Sequence, residues 1–237
     1  MGEGLDALDA QIMPYIAMAN IACGGHAGNT ESMQRTVKLA KEQDVQVGVH
    51  PSFKDKEGFG RKEIYCTEEE IKALIQEQCK ALDDICKENA LALSYVKPHG
   101  ALYNMMMKEM SLFETVCKAV AAYDPVLKLM ILSNTNNARY AQVAQKYNIT
   151  LLYEVFADRA YTDEGQLVAR SQSNALLETE EEVLQRVKTL HTYGYITSVS
   201  GKHITLQADI LCVHSDTEGA LALIETLSTF LKDPNAY

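Results

Sequence analysis

The chain lacks several features that would assign a functional class at once. No apolar run approaches the ~18 residues that cross a membrane, and the first ten residues, MGEGLDALDA, lack the basic and apolar regions of a signal peptide. The chain also has no excess of positive charge. Its net charge of −10 and sequence pI of about 5.1 argue against nucleic acid or an anionic membrane surface as a partner. We therefore expect a cytoplasmic protein.

Paired cysteines and interdomain linkers are absent as well. The six cysteines lack the paired spacing of a zinc site. Cys23 and Cys212 stand close before histidines, but buried thiols are far more common than nucleophiles, and we expect no catalytic thiol. No stretch rich in proline, glycine or serine divides the 237 residues. The sequence therefore predicts one domain over residues 1–237.

Short apolar runs alternate with helical patterns along the chain, which predicts an α/β fold with a parallel sheet. Predicted strands cover about 18–23, 45–49, 92–97, 126–132, 150–156 and 210–213, and a hairpin is predicted across Ser200-Gly201. Predicted capping boxes pair Thr67 with Glu70, Ser111 with Glu114, and Thr179 with Glu182. The pattern leaves a barrel and a doubly wound sheet open. Polar residues after almost every strand favour the barrel.

Four of the six histidines close an apolar or β-prone run, and small or turn-forming residues follow each of them. They are His26, His50, His99 and His214. Residues just past the ends of parallel strands point into one crevice, so we expect the four imidazoles to meet in space. A lone histidine is more often structural than functional, and only the fourfold recurrence favours an active site.

Two long loops carry further candidates. In residues 50–62, Phe53, Phe59 and Arg61 suggest a lid over an anionic ligand. A plain surface loop is the alternative.

The second loop, residues 154–174, holds Glu154, Asp158, Arg159 and Arg170. A carboxylate in it could act as a general base or a metal ligand, and its arginines could bind carboxylate or phosphate. The alternative is a solvated loop held by salt bridges.

The segment KPHGALYN places Lys97 and His99 on one face of a strand end, followed by Tyr103 and Asn104. A lysine held beside an imidazole can stabilise negative charge or donate a proton, and a structural ion pair is the alternative. Around Asn20 and His26, the glycine-rich ACGGHAG allows close backbone approach to an anion, although it matches neither common phosphate-loop spacing.

Five blocks of the chain together resemble the LamB/YcsF family of 5-oxoprolinase A subunits. They are ANIACGGHAG, GVHPSF with GFGR, VKPHGALYN, EVFADRAY and CVHSD, spread from Ala19 to Asp216 in the family's order. The resemblance implies a (β/α) barrel of about seven strands, related in shape to sugar deacetylases. It also implies ATP-dependent opening of 5-oxo-L-proline to L-glutamate together with subunits B and C.

The chain departs from the family pattern at several positions. Family members begin with a strand similar to DLNCDLGE, and this chain starts inside it at GEG, so we expect the strand and an acidic site residue to be missing. A start codon placed late explains this better than a degraded paralogue, because the later blocks are intact. The other departures are Gly25 for Phe, Asn29 for Asp, Ala169 for Pro, and Ser215 for Gly.

Ring opening of an activated lactam needs a base, donors for the oxyanion and an acid for the leaving nitrogen. The residues predicted to be catalytic are His50, Lys97, His99, Asp158 and His214. The residues predicted to bind the substrate are Asn20, His26, Arg61, Tyr103, Asn104, Glu154, Arg159 and Arg170.

Within that set, Asp158 or one of His50, His99 and His214 would be the base. Lys97 and Arg61 would stabilise negative charge, and Arg170 would hold the substrate carboxylate.

Two other functions remain open. A divalent-metal hydrolase such as a deacetylase would use His26, His50 and His99 as candidate ligands. A non-catalytic paralogue would only bind partner subunits.

Overall fold

The computed structural model describes residues 1–177, 179–214 and 219–233. Ser215 and Asp216, which belong to the last family block, lie outside the described residues. The chain forms two compact units, Met1–Ile131 with Ala138–Leu151, and Leu132–Asn137 with Leu152–Tyr237. None of the described helices is both long and apolar enough to cross a membrane. The expectation of a single domain stays a prediction.

The first unit contains most of the alternating strands and helices. Its elements are α1 (Asp6–Ile12), a 3-10 turn (Met13–Tyr15), β1 (Met18–Ala22), α2 (Thr30–Glu42), β2 (Gln46–His50), α3 (Glu68–Glu88), β3 (Leu93–Val96), α4 (Gly100–Lys108), α5 (Met110–Tyr123), and nearly all of β4 (Lys128–Leu132) and α6 (Asn137–Gln145). Strands β1, β2, β3 and β4 lie side by side in that order, all parallel. The predicted parallel α/β pattern is confirmed in this unit.

The second unit continues with parallel pairing and one hairpin. Its elements are β5 (Leu151–Phe156), α7 (Glu180–Tyr193), β6 (Tyr195–Thr197), β7 (His203–Thr205), β8 (Ile210–Cys212) and α8 (Ala220–Lys232). Strands β5 and β8 are parallel, with Glu154 opposite Ile210. The predicted hairpin is confirmed, since β6 and β7 pair antiparallel and Gly201 adopts a φ of 89° in the connecting turn.

Helix capping confirms two of the three predicted capping boxes. Thr67 and Thr179 each accept a hydrogen bond from the backbone N–H of the glutamate three residues on, and that glutamate bonds back. The box at Ser111 is wrong. Glu109 ends α4 and also begins α5 without a side-chain cap, so Ser111 already lies inside the helix. A single extended residue between two helices leaves no room for a separate capping turn.

Register within the sheet fixes where the polar residues of the first unit emerge. Ala22 at the end of β1 pairs with His50 at the end of β2, and Val49 pairs with Val96 at the end of β3. The three parallel strands therefore end at one edge. The segments that follow them carry His26 and His99 beside His50.

Gly48 in β2 leaves room for a large side chain to cross one face of the sheet. A Cβ at this position would lie 2.1 Å from the ring of Tyr95, which pairs with it on β3. The Tyr95 hydroxyl reaches past β2 and donates a hydrogen bond to Asn20 Oδ1 on β1, at 2.9 Å. The predicted site residue Asn20 is thus held by a buried tyrosine.

Candidate functional site

Three of the four predicted histidines meet in the first unit. His26 and His99 stack face to face, with ring centroids 3.7 Å apart and planes 8° from parallel. His50 meets His99 edge-on, with centroids at 4.8 Å. Glu3 completes the group, because its Oε1 accepts a hydrogen bond from His26 Nε2 at 2.8 Å. We call Glu3, His26, His50 and His99 the histidine cluster.

Glu3 is an acidic partner of the histidines that the sequence analysis does not predict. Burial alone would raise the pKa of its carboxyl group, but the hydrogen bond from His26 and the charge of the chain N-terminus lower that pKa to about 2. Glu3 is therefore a carboxylate at neutral pH. Sequence reasoning missed it because the family pattern points to an Asp and an Asn, whereas the retained GEG segment already contains an acid.

Met1, at the start of the chain, also contacts strand β1. Its amino group donates to Asn20 O at 2.8 Å, and its carbonyl accepts from Ala22 N at 3.0 Å. These bonds bring Glu3 to the carboxyl end of β1, where His26 follows. Met1 thus pairs with part of the backbone of β1.

His50 and His99 are both held through backbone carbonyl groups. His50 Nδ1 lies 2.6 Å from Lys97 O, and His99 Nε2 lies 2.9 Å from Phe59 O. Burial, and then the neighbouring His99, lowers the pKa of His50 well below its ordinary value. Burial, and then His26, lowers the pKa of His99 to about 4. Both rings are therefore neutral at pH 7.

The loop after β2 reaches the cluster through an unusual backbone conformation. Phe59 has a φ of 52°, rare for a residue with a side chain, and Gly60 has a φ of 63°. A Cβ at Gly60 would lie 2.8 Å from His26 Cβ and 3.0 Å from His99 Cδ2. Glycine is needed there because the loop passes directly against both rings.

The predicted lid divides into two parts. Phe59 meets His26 and His99 edge-on, at centroid distances of 5.1 and 5.4 Å, and the Arg61 guanidinium lies 5.3 Å from the Phe59 ring centroid. Phe53, in contrast, is only 1% exposed. Phe53 is therefore a core residue rather than a cover for a ligand, because its ring is enclosed by the protein itself.

The segment after β3 brings further predicted residues to the same region. Lys97 is buried, and its backbone N–H donates to Val49 O at 2.9 Å. Tyr103 is buried in α4, whereas Asn104 on the same helix is exposed. Lys97 and Tyr103 are therefore fixed by packing. The functional roles of all three stay predictions.

The fourth predicted histidine lies in the second unit, in contact with a predicted acid. His214 Nδ1 lies 2.8 Å from Asp158 Oδ2, and its ring stacks on Phe156 with centroids 5.2 Å apart. Burial would raise the pKa of Asp158, but the hydrogen bond and the charge of His214 together lower it. The pair is a carboxylate that fixes an imidazole. Whether His214 meets the other three histidines stays a prediction.

The arginines of the second loop have different surroundings. Arg159 is buried, and it donates to Val168 O at 2.6 Å and Ala175 O at 3.2 Å. These bonds fold the loop onto itself. Arg170 is exposed on a turn, and Glu154 is fully buried in β5. Substrate binding by these three residues stays a prediction.

Two departures from the family pattern fit their surroundings. Asn29 caps α2 by accepting from Ser32 N at 2.8 Å, a task that asparagine and aspartate perform equally well. A Cβ at Gly25 would lie 2.4 Å from Ser52 Oγ. Ser52 Oγ in turn lies 2.9 Å from His26 Nδ1. Gly25 thus lets Ser52 approach closely enough to orient His26.

A metal ion is one group that the cluster could hold. Glu3, His50 and His99 each offer a ligand atom, and these atoms lie within 4.8 Å of one another. Two imidazoles and one carboxylate are a donor set typical of zinc and related ions.

The fold and sequence agree with known proteins over nearly the whole chain. A crystal structure of the lactam utilization protein from Thermus thermophilus matches with a TM-score of 0.84 at 34% identity, over 92% of this chain and 87% of that one. This likeness confirms the predicted (β/α), TIM-like barrel class.

Curated relatives include the 5-oxoprolinase A subunit of Vibrio cholerae, which is 44% identical over 95% of this chain and 91% of its own length. The same-named protein of Vibrio campbellii is 42% identical over 96% and 91%. That of Pseudomonas fluorescens is 39% identical over 99% and 94%. The model of the LamB/YcsF family matches residues 1–236. With the five sequence blocks, this match means that the chain belongs to the LamB/YcsF family.

Proposed function

We propose that this chain is the A subunit of a 5-oxoprolinase, which opens 5-oxo-L-proline to L-glutamate in a hydrolysis coupled to that of ATP. The observation that carries the proposal is the length of the match. Relatives named as 5-oxoprolinase A subunits align over 91–94% of their own length, so no large part of them lacks a counterpart here. The partly buried cluster of titratable groups supports a catalytic role for this chain.

The chemistry explains why ATP and a dedicated site are both needed. Amide resonance protects a five-membered lactam from water, and phosphorylation of the amide oxygen would create a far better electrophile. The chain would then have to activate water, stabilise a tetrahedral oxyanion and protonate the leaving nitrogen. Each task requires a titratable or cationic group held in a fixed orientation.

The Asp158–His214 pair has the chemistry of a general base. A carboxylate bonded to one imidazole nitrogen orients the ring and stabilises the imidazolium that forms when the other nitrogen takes a proton. In this assignment His214 takes the proton from water, and Asp158 is a positioning residue.

The first unit supplies the cationic groups of the proposal. Lys97 is buried next to His50, whose pKa its charge helps to lower. A buried ammonium group stabilises a developing oxyanion more strongly than an exposed one, because water screens it less. Arg61 lies at the Phe59 ring and is assigned to an anionic group of the substrate.

Partner subunits follow from the same proposal. The relatives are named as subunits, and we assign ATP-dependent activation of the lactam to partners of the B and C type. No residue of this chain is assigned to ATP.

Reconstitution with B and C subunits tests the proposal. The three-subunit mixture should release glutamate and phosphate from 5-oxoproline and ATP, and His99→Ala and Asp158→Ala should abolish both. His203→Gln, on the hairpin outside both groups, is the control and should retain activity. Full turnover in both alanine variants would remove the catalytic assignment. Binding of B and C without any glutamate from the unmodified chain would support a non-catalytic paralogue instead.

A second candidate function is a divalent-metal hydrolase such as a deacetylase, which the Glu3–His50–His99 donor set favours. It predicts hydrolysis by this chain alone, without ATP, of acetylated sugars. Release of acetate without partners would favour this candidate over the first.

A further inference from the structure

The proton positions on two cluster imidazoles can be deduced from their partners. A neutral imidazole carries one N–H donor and one lone pair. Carbonyl oxygens only accept, so the donors are His50 Nδ1, bonded to Lys97 O, and His99 Nε2, bonded to Phe59 O. The remaining nitrogens, His50 Nε2 and His99 Nδ1, therefore carry lone pairs.

These two lone pairs face each other. His50 Nε2 and His99 Nδ1 lie 3.0 Å apart. Two acceptors at that distance repel each other unless a positive centre lies between them. A metal ion is such a centre, and a shared proton is the competing occupant.

The separation suits a metal ion. With zinc–nitrogen bonds of ~2.0–2.1 Å, two nitrogens 3.0 Å apart subtend roughly 95° at the ion. That angle lies within the range of a distorted tetrahedral or five-coordinate site. The two nitrogens need not move apart to admit the ion, but each ring would have to turn so that its lone pair points at the ion, which lies to one side of the line between the nitrogens.

Glu3 supplies a third ligand from a different segment. The three ligand atoms lie within 4.8 Å of one another. Two ligand atoms of a tetrahedral zinc ion lie about 3.3 Å apart. The Glu3 carboxylate oxygen would therefore have to move up to about 1.5 Å closer to the two histidine nitrogens. Its three side-chain torsions permit this, and His26 already aims it at the cluster.

The surroundings of the two histidines match those of metal ligands. Ligating histidines commonly donate their second N–H to a backbone carbonyl or carboxylate, which fixes the ring and its tautomer. Both His50 and His99 do so. The carbonyl that holds His99 belongs to Phe59, whose left-handed backbone is of the strained kind that clusters at functional sites.

We propose that Glu3, His50 and His99 bind one divalent transition-metal ion, zinc or a chemically similar ion, through the Glu3 carboxylate, His50 Nε2 and His99 Nδ1. Three protein ligands leave one position for water or substrate, as in catalytic rather than structural zinc sites. The site does not depend on the reaction proposed above, so loss of one leaves the other standing.

Metal binding by the full, untagged chain tests this directly. After chelation and dialysis, zinc chloride titrated by calorimetry should bind at one ion per chain, and elemental analysis should agree. Glu3→Gln, His50→Gln and His99→Gln should each weaken binding by more than about 100-fold, since loss of a ligand exceeds the effect of its outer partners. His191→Gln in α7 is the matched control and should bind as the unmodified chain does. Absence of binding, or unchanged binding in all three variants, would overturn the proposal.

A measurement on the unmodified chain covers the case in which a variant fails to fold. Nitrogen-15 NMR of the metal-free chain should show His50 Nε2 and His99 Nδ1 both unprotonated, and one equivalent of zinc should shift both signals. A proton on either nitrogen that zinc does not displace would mean that a shared proton, not a metal, occupies the gap.

Discussion

The two units use histidine in opposite ways. In the first, His50 and His99 donate to neutral carbonyls, and burial keeps both rings uncharged. In the second, His214 Nδ1 lies 2.8 Å from the carboxylate of Asp158, whose own pKa is lowered by this contact against the effect of burial. Either partner fixes which ring nitrogen keeps the lone pair, but only the carboxylate also places a negative charge beside the ring. The group behind the ring, rather than the histidine itself, sets its chemistry.

Removing the proposed base should have the largest effect. His214→Ala should lower kcat in the reconstituted complex by roughly 10²–10⁴, the usual contribution of general base catalysis. Zinc stoichiometry should be unchanged, because His214 is not among the proposed ligands. Turnover equal to that of His203→Gln would assign the base to the histidine cluster instead and erase the contrast between the units.

A clash placed inside the cluster tests whether its rings are held rigidly. Gly60→Ala adds a methyl group against His26 and His99 at a φ of 63°. Strain alone costs about 1–3 kcal/mol in the free energy of unfolding, and the clash should add to it. Gly194→Ala is the matched control, since its φ is 72° but no atom of the described residues lies within 4 Å of the added Cβ. If urea unfolding shows the same loss of unfolding free energy in Gly60→Ala and Gly194→Ala, the two rings move aside at no cost and are not held rigidly.

The Asp158 carboxyl group should make the free energy of unfolding depend on pH. The pKa of Asp158 in the folded chain is lowered from its ordinary value of 3.8, so folding favours the carboxylate. That stabilisation is present above the unfolded pKa and is lost as pH falls through the folded pKa. The excess unfolding free energy over Asp158→Asn should therefore shrink as pH falls below about 4. An excess that does not shrink below pH 4 would contradict the pair.

The smallest expected change in stability concerns Asn29, which caps α2 near the histidine cluster. Asn29→Asp should change the unfolding free energy by less than about 0.5 kcal/mol and leave zinc binding intact, whereas Asn29→Ala should cost about 1 kcal/mol. Thermal unfolding with and without zinc checks both variants. A large loss in Asn29→Asp would mean that this departure from the family reshapes the cluster.

Much of this arrangement could be predicted from local pattern. The capping boxes at Thr67 and Thr179 are read correctly because both partners lie within four residues. The box at Ser111 fails because a neighbouring helix ends at Glu109 and takes the capping position. Phe53 fails for a similar reason, since its spacing does not reveal that its ring faces the core.

The sequence by itself determined the alternation of parallel strands and helices, and therefore that His26, His50 and His99 follow strands ending at one edge. Only the tertiary structure decided what each imidazole faces. Glu3 reaches His26 across 23 residues, and His50 meets Lys97 O across 47. Local periodicity encodes strand and helix because the interactions that form them are short-ranged. The partner that sets the chemistry of a histidine comes from a distant segment, and folding alone brings it there.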